Sequence, residues 1–141
     1  MKSISEELTA ITPIAAGPRP IVSVIIPVYQ PDHFLIDAVK SVLAARMDHE
    51  DMQIAIVDDA SPSTNVAELI EQVGATNRVE LHRAERNRGL AGNWNYCLQL
   101  ARGRIVHVLH QDDAVAPNFY RRMLPAFAKH PSIGMAFCRH A

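Results

Sequence analysis

The sequence predicts an α/β fold in which a mostly parallel, open sheet carries helices on both faces. Two observations support this prediction. Short runs rich in β-branched and other apolar residues recur along the chain, as expected of strands that are covered on both sides. Between these runs lie longer segments whose apolar residues repeat at helical spacing. Regular alternation of the two kinds of segment favours parallel strands joined by crossover helices.

Five apolar runs are the predicted strands. The first, IVSVIIPV, is nearly all apolar, and Pro27 lies late in it, where a residue without an N–H group fits a strand end or a bulge. The second, MQIAIV, stops at a pair of aspartates. The predicted strands cover residues 21–28, 52–57, 78–82, 104–109 and 133–138.

Four segments that follow the first four strands are the predicted helices. Asp32 is suited to cap the first helix, and Gly74 and Gly103 are stop signals after the second and third. Pro117 stands near the first turn of the fourth. The predicted helices run over residues 32–43, through residues 66–73 after a lead-in at residues 62 and 63, and over residues 90–101 and 117–129.

The length of 141 residues corresponds to one domain or part of one. Residues 1–20 contain three prolines and are expected to form a flexible lead-in, followed by the folded part in residues 21–141. The last predicted strand ends close to residue 141, and no further segment covers it. We therefore expect the front part of a larger domain, with an uncovered sheet edge that favours self-association.

Composition and charge exclude several classes of protein. Fourteen basic and 15 acidic residues give a net charge of -1, whereas nucleic-acid-binding domains usually show a basic excess. No stretch approaches the roughly 18 apolar residues of a membrane span, and the N-terminus lacks the apolar core of a secretory signal. We expect a protein without a nucleic-acid partner that is cytoplasmic, with membrane association through parts outside this sequence as the alternative. Cys97 and Cys138 are expected to be buried free thiols.

Two pairs of adjacent aspartates stand where two predicted strands stop. Asp58 and Asp59 follow the second strand, and Asp112 and Asp113 follow the fourth. Ligands of open α/β sheets bind outside the carboxyl ends of the strands, and charged side chains are rarely buried without a partner. Four carboxylates at one rim therefore predict a divalent cation, Mg²⁺ or Mn²⁺, bound together with a phosphorylated ligand.

The two carboxylates of a pair cannot share one task, because successive side chains of a strand point to opposite faces. Of Asp58 and Asp59, one is expected to face the crevice and accept a hydrogen bond from a base or a ribose. The other is expected to cap the next helix or to accept backbone N–H groups. Of Asp112 and Asp113, one is expected to reach the metal and the other to order a ribose hydroxyl or the loop. Solvated, capping carboxylates without a ligand are the alternative.

Two further segments could contribute to a nucleotide site. Tyr29 and Gln30 follow the first strand and offer a ring face and an amide that could hold a flat heterocycle, although an ordinary turn is the plainer interpretation. Asn87 and Gly89 suit a tight turn into the third helix. The free N–H groups at that helix N-terminus would favour a phosphate.

Five motifs, taken in order, resemble those of the family 2 glycosyltransferases of the GT-A fold. They are VSVIIPVYQ at 22–30, AIVDDAS at 55–61, NRGL at 87–90 with Asn95, ARG at 101–103, and LHQDDAVAP at 109–117. The resemblance covers residues 21–141. It implies a truncated, Rossmann-like GT-A domain, a nucleotide-diphosphate sugar as donor, Mg²⁺ or Mn²⁺, and a glycan or lipid-linked glycan as acceptor.

The resemblance also implies the residues of the site. For metal binding it implies Asp112 and Asp113, and for contact with the base it favours Asp59. The reaction implied is an inverting transfer of the sugar to an acceptor hydroxyl in glycan or polysaccharide assembly. A carboxylate base would deprotonate that hydroxyl, and it is expected beyond Ala141. The implied nucleotide-binding residues are Pro27, Val28, Tyr29, Asp58, Asp59, Asn87, Gly89, Asn95 and Asp112.

Three positions depart from the family pattern. Gln30 stands where asparagine is frequent, His110 where an aspartate is frequent, and Trp94 where many members carry an arginine that could contact phosphate. From the residues alone, Trp94 is interpreted as a packing residue and His110 as a hydrogen-bonded rim histidine. A non-catalytic nucleotide-binding or interaction module of the same fold is the main alternative function. A sugar nucleotidyltransferase is disfavoured, because residues 27–31 contain no glycine for a phosphate-binding loop.

Overall fold

The computed structural model describes residues 19–138 of the chain. Within them, strand and helix alternate without exception. The predicted lead-in, residues 1–20, lies almost wholly outside the described residues. The elements are β1 (Val22–Val28), α1 (Phe34–Leu43), β2 (Met52–Asp58), α2 (Val66–Gln72), β3 (Glu80–Arg83), α3 (Gly89–Leu100), β4 (Ile105–Val108) and α4 (Phe119–Lys129).

The strands of the described part form one parallel sheet in the order β3-β2-β1-β4. β1 and β2 pair along their whole length, from Val22 with Met52 to Val28 with Asp58. Both strands are buried throughout, which explains their nearly continuous apolar sequences. The predicted parallel α/β sheet is confirmed. The chain reverses its direction of travel across the sheet between β1 and β4, and ligands of such sheets bind at that reversal point.

Helices cover both faces of the sheet, as predicted. On one face, Val24 and Ile26 of β1 share a core with Leu35 of α1, and α2 and α4 contribute to the same core. On the other face, Ile25 packs in a smaller core with Cys97 of α3. Complete burial of an aliphatic side chain contributes about 1.5–3 kcal/mol. These two cores therefore stabilise the central strands from both faces of the sheet.

β1 and β4 separate where Pro27 interrupts their hydrogen bonding. The register pairs Ile25 with Val108, and the Leu109 N–H donates to the Ile25 carbonyl oxygen at 3.0 Å. In a parallel ladder the next bond on this side would run from the N–H of residue 27 to the carbonyl oxygen of Leu109. Because proline has no N–H group, the ladder ends there. The strands diverge beyond this point and leave a crevice between their carboxyl ends.

The predicted fifth strand, residues 133–138, is wrong. The segment has no regular secondary structure, and Met135 and Phe137 are 78% and 88% exposed. A strand is held by ladder hydrogen bonds to a neighbour, and no strand within residues 19–138 pairs with this segment. Cys138 is therefore exposed instead of buried, whereas Cys97 is buried as expected. Burial raises the pKa of the Cys97 thiol to about 12.

Other differences from the predicted elements lie at their ends. β3 begins at Glu80 and not at residue 78, because the backbone N–H groups of Arg78 and Val79 close a turn on the Ala75 carbonyl oxygen, at 2.8 and 2.9 Å. α2 begins at Val66, after the loop that follows β2, and ends at Gln72, one residue before the predicted end. Among residues 19–138, no helix is both long enough and apolar enough to cross a membrane.

Candidate functional site

A cleft of about 420 Å³ opens where β1 and β4 diverge. Its walls come from the ends of β1 and β2, the start of α3 and the loop after β4. Three of the predicted site residues, Asp58, Asn95 and Asp113, are not part of its lining. The predicted residues that do line it are Pro27, Val28, Tyr29, Asp59, Asn87, Gly89 and Asp112.

Asp58 lies outside the cleft and stabilises the loop after β2. Its Oδ1 accepts hydrogen bonds from the Ser61 N–H at 3.0 Å and from the Ser61 hydroxyl, and its Oδ2 accepts one from Arg83 at 2.9 Å. A carboxylate can be buried at acceptable cost only when it is paired and hydrogen-bonded. The same turn holds Ala60 at φ 59°, a left-handed conformation that costs a residue with a Cβ roughly 1–2 kcal/mol.

Asp59 is the member of the pair that faces the cleft. Its Oδ1 accepts a hydrogen bond from the Arg88 N–H at 2.8 Å, and the residue is 2% exposed. The carboxylate thus joins the end of β2 to the turn that precedes α3. Strand alternation predicted that one aspartate faces the cleft and that the other caps the next helix or accepts backbone N–H groups. Asp59 lines the cleft, and Asp58 accepts the Ser61 N–H but does not cap α2, whose N-cap is Asn65.

The N-terminus of α3 forms part of the cleft wall. Gly89 begins the helix at φ 72°, which a glycine adopts without strain. The Asn87 side-chain oxygen accepts a hydrogen bond from the Gly89 N–H at 2.8 Å. The first N–H groups of a helix lack intrahelical acceptors and carry partial positive charge. This wall is therefore suited to a phosphate group.

Two residues on the next turn of α3 line the cleft but are not among the predicted site residues. The Asn93 amide nitrogen donates to the Val57 carbonyl oxygen at 3.1 Å, and Asn93 is 4% exposed. Asn93 Oδ1 and Trp94 Nε1 are buried without a hydrogen-bond partner among the described residues. An unpaired buried polar group costs about 1–3 kcal/mol. The position of Asn93, four residues after Gly89 and on the same helix face, is the sequence signal that could have indicated it.

The loop after β4 closes the cleft on the opposite side. The ring of His110 lies 5.2 Å from the Trp94 ring, centroid to centroid. The Gln111 side-chain oxygen accepts a hydrogen bond from the Tyr29 N–H at 2.9 Å. Its amide nitrogen donates to the Tyr29 carbonyl oxygen at 3.4 Å. Gln111 is thus a further unpredicted site residue, and its only sequence signal is its place beside Asp112.

Asp112 and Asp113 are both exposed, but only Asp112 borders the cleft. In residues 19–138 no three His, Cys, Asp or Glu side chains come together as a metal site. A carboxylate is a hard oxygen ligand, and Mg²⁺ is often held by one or two carboxylates plus substrate phosphates. The donor set at this rim therefore fits a cation whose coordination is completed by a bound diphosphate. It does not fit a cation held by the described protein side chains alone.

Comparison with known proteins gives the family of the chain. The sequence profile described as Glycosyl transferase family 2 matches residues 23–141, which is most of the chain. The chain belongs to glycosyl transferase family 2. The resemblance carried by the five motifs is thereby confirmed.

Relatives of this family 2 chain include much longer proteins. GgaB of Bacillus subtilis, a minor teichoic acid biosynthesis protein, is 28% identical over 108 residues, which are 77% of this chain and 12% of GgaB. The chain spans 36% or less of the length of the first three curated relatives that it matches.

Solved structures confirm the GT-A fold of the family 2 chain. Residues 1–349 of TarS from S. aureus, in complex with UDP-GlcNAc, match with a TM-score of 0.70 at 19% identity, over 84% of this chain and 37% of that one. The mannosyltransferase PcManGT from Pyrobaculum calidifontis, in complex with GDP-Man and Mn²⁺, matches with a TM-score of 0.61 at 22% identity. That match covers 81% of this chain and 34% of PcManGT.

Proposed function

We propose that this family 2 chain is the donor-binding side of a glycosyltransferase that transfers a sugar from a nucleotide-diphosphate donor to an acceptor hydroxyl. One observation carries the proposal. Asp59, which follows β2, and Asp112, in the loop after β4, line the same cleft as Tyr29. The role of GgaB in teichoic acid biosynthesis and the UDP-GlcNAc complex of TarS support this class of reaction and donor.

The nucleoside would occupy the side of the cleft formed by β1 and β2. Asp59 would accept a hydrogen bond from a base N–H or a ribose hydroxyl. Tyr29 is 46% exposed and, together with Pro27, would provide the apolar surface against which a flat base packs. The unpaired acceptor of Asn93 and the unpaired donor of Trp94 would face the same ligand or a water bound with it.

The diphosphate would lie between the start of α3 and the loop after β4. The N–H groups that follow Gly89 in the first turn of α3 would bind phosphate oxygens, because those of Arg88 and Gly89 already donate to Asp59 and Asn87. Asp112 would hold Mg²⁺ or Mn²⁺ together with the diphosphate, and the Mn²⁺ present with GDP-Man in PcManGT supports this assignment. When bound, such a cation neutralises the charge that develops on a leaving diphosphate.

The acceptor side of the reaction completes the proposal. We infer an inverting transfer in which a carboxylate base removes the proton of the acceptor hydroxyl. The base would come from outside the residues that line this cleft. A glycan or a lipid-linked glycan is the proposed acceptor, in keeping with the teichoic acid biosynthesis named for GgaB.

Calorimetry with UDP, GDP and dTDP, each with and without Mn²⁺, tests the donor site. The wild-type chain is expected to bind at least one of them more tightly when Mn²⁺ is present. Asp112→Asn should weaken that Mn²⁺-dependent binding by about ten-fold or more, because a charge-assisted contact is lost. Asp113→Asn is the matched control and should change it by less than about three-fold. Equal effects of the two substitutions would contradict the assignment of Asp112.

Donor turnover separates an enzyme from a binding module of the same fold. Release of UDP or GDP from a nucleotide sugar, in the presence of Mn²⁺ and candidate acceptors, is the expected result for a protein that contains this domain. Tight binding with neither hydrolysis nor transfer would favour the non-catalytic alternative.

A further inference from the structure

The side chain of Gln111 reaches across the mouth of the cleft to both backbone polar groups of Tyr29. Its oxygen accepts a hydrogen bond from the Tyr29 N–H at 2.9 Å, and its nitrogen donates to the Tyr29 carbonyl oxygen at 3.4 Å. The primary amide therefore pairs with Tyr29 much as a neighbouring strand would. This contact joins the loop after β1 to the loop after β4.

This side-chain contact stands where the β1–β4 ladder has ended. The last ladder pair is Ile25 with Val108, and Pro27 has no N–H group with which to extend it. Beyond Pro27, the backbone of β1 needs another partner on this side. Gln111 provides one and at the same time leaves the crevice beneath it open.

Tyr29 is held on its other side by independent contacts. The Gln30 N–H donates to the Ser61 hydroxyl at 2.8 Å, and the Gln30 side chain donates to the Tyr29 hydroxyl at 3.3 Å. Ser61 itself is fixed by the buried carboxylate of Asp58. The loop after β1 is therefore anchored to the loop after β2, and Gln111 ties the loop after β4 to that anchored position.

We propose that Gln111 is a positioning residue that sets where the Asp112 carboxylate lies relative to Tyr29. Gln111 and Asp112 occupy a tight turn in which the Asp113 N–H donates to the His110 carbonyl oxygen at 3.1 Å. Holding the Gln111 amide against Tyr29 fixes one side of this turn, and Asp112 is the next residue along it. The effect of Gln111 on ligand binding rests on the proposed function, whereas the effect of Gln111 on the turn does not.

Amide hydrogen exchange in the absence of ligand tests whether Gln111 holds the turn that contains Asp112. Gln111→Met has a similar size and removes both hydrogen bonds to Tyr29. In the whole chain, the Tyr29 amide should exchange about ten-fold faster in this variant, and the Asp113 amide should also exchange faster as the turn loosens. The Gln30 amide, whose acceptor is Ser61, should keep its rate and serves as an internal control. Unchanged exchange at Asp113 would overturn the proposal.

Calorimetry with UDP tests the consequence for the proposed site. The enhancement of UDP binding by Mn²⁺, which is the ratio of the affinities with and without the metal, should fall by about five-fold or more in Gln111→Met. A merely structural role would lower both affinities and the melting temperature together, and that result would also overturn the proposal. If the wild-type chain shows no Mn²⁺ enhancement with any nucleotide diphosphate, the proposed function fails, and hydrogen exchange still decides the role of Gln111.

Discussion

Arg83 at the end of β3 donates a hydrogen bond to the carboxylate of Asp58 at the end of β2, at 2.9 Å. The two residues are paired neighbours in the sheet register. The Asp58 side chain is 1% exposed and that of Arg83 is 51% exposed. Arg83 also donates to the Ser61 carbonyl oxygen at 2.8 Å. This pair holds the loop that presents Asp59 to the cleft.

Replacing Arg83 with methionine should lower the free energy of unfolding by about 2 kcal/mol, because the buried Asp58 carboxylate loses a charged hydrogen-bond donor. Urea denaturation measures the change. Arg86→Met, at an exposed position in the following loop, is the control and should stay within about 0.5 kcal/mol of wild type. Equal losses in the two variants would show that the Asp58–Arg83 pair does not stabilise the fold.

Asp59→Asn should weaken nucleotide binding by about ten-fold or more with little loss of stability. The side-chain oxygen of asparagine can still accept the hydrogen bond from the Arg88 N–H, whereas the negative charge that strengthens a contact with the ligand is gone. Calorimetry and thermal unfolding measure the two effects. Asp51→Asn makes the same chemical change at an exposed position before β2, at the opposite end of the sheet, and should leave affinity unchanged. Retained affinity in Asp59→Asn would remove Asp59 from the site.

Gly103→Ala should destabilise the fold by about 3 kcal/mol or more. A Cβ at this position would collide with backbone atoms of Ser23 and Val22, which cannot move aside as a flexible side chain could. It would also disturb the hydrogen bond from the Gly103 N–H to the Ser23 hydroxyl, which is 2.7 Å long. The control is Gly134→Ala, because a Cβ at Gly134 meets no atom within 4 Å. Similar melting temperatures for both variants would contradict this close approach.

Trp94→Phe should change the free energy of unfolding by less than about 1 kcal/mol. The substitution removes apolar area, but it also removes a buried N–H group that has no hydrogen-bond partner among the described residues. Tyr120→Phe provides the contrast, because its hydroxyl lies 3.0 Å from His107 Nδ1. That variant should lose about 1 kcal/mol. A larger loss in Trp94→Phe than in Tyr120→Phe would show that the indole N–H is satisfied in the free protein.

His107 should make the fold less stable in mild acid. Burial lowers the pKa of His107 below its usual value of about 6.5, although the charge of Asp113 opposes the shift. The unfolded chain therefore binds this proton at a higher pH than the folded chain does. Stability is lost as the pH falls below about 6.5 and continues to fall until the lower, folded-state pKa is reached.

Urea denaturation of wild type and His107→Gln between pH 7.5 and 5 measures this effect. The stability of wild type relative to the variant should decrease as the pH falls. A constant difference across that range would exclude His107 as a source of the pH dependence.

The sheet and its helices are largely predictable from the sequence, because burial on both faces leaves long apolar patterns in β1 and β2. The failure at residues 133–138 has the same physical origin. Met135 and Phe137 have the composition of a strand, but composition does not show whether a neighbouring strand is available to pair with them.

The candidate site was predictable only where a residue type carries its own chemistry. Asp59 and Asp112 could be predicted as carboxylates at strand ends, but the burial of Asp58 depends on Arg83, which lies on another strand. Gln111 could not be predicted, because its place in the site depends on hydrogen bonds to the distant backbone of Tyr29. Such contacts leave no periodic trace in a single sequence.

Pro27 also lowers the free-energy cost of separating β1 from β4. Separating two hydrogen-bonded strands ordinarily leaves a backbone N–H group on one of them without an acceptor. Buried N–H groups without an acceptor are rare in proteins. In this protein the absent ladder bond is the one from residue 27 to Leu109. Pro27 has no N–H group to leave without an acceptor, so only the Leu109 carbonyl oxygen loses a ladder partner. Unpaired carbonyl oxygens are better tolerated than unpaired N–H groups. The gap between the carboxyl ends of β1 and β4 thus follows from a covalent property of a single residue, the missing N–H group of Pro27.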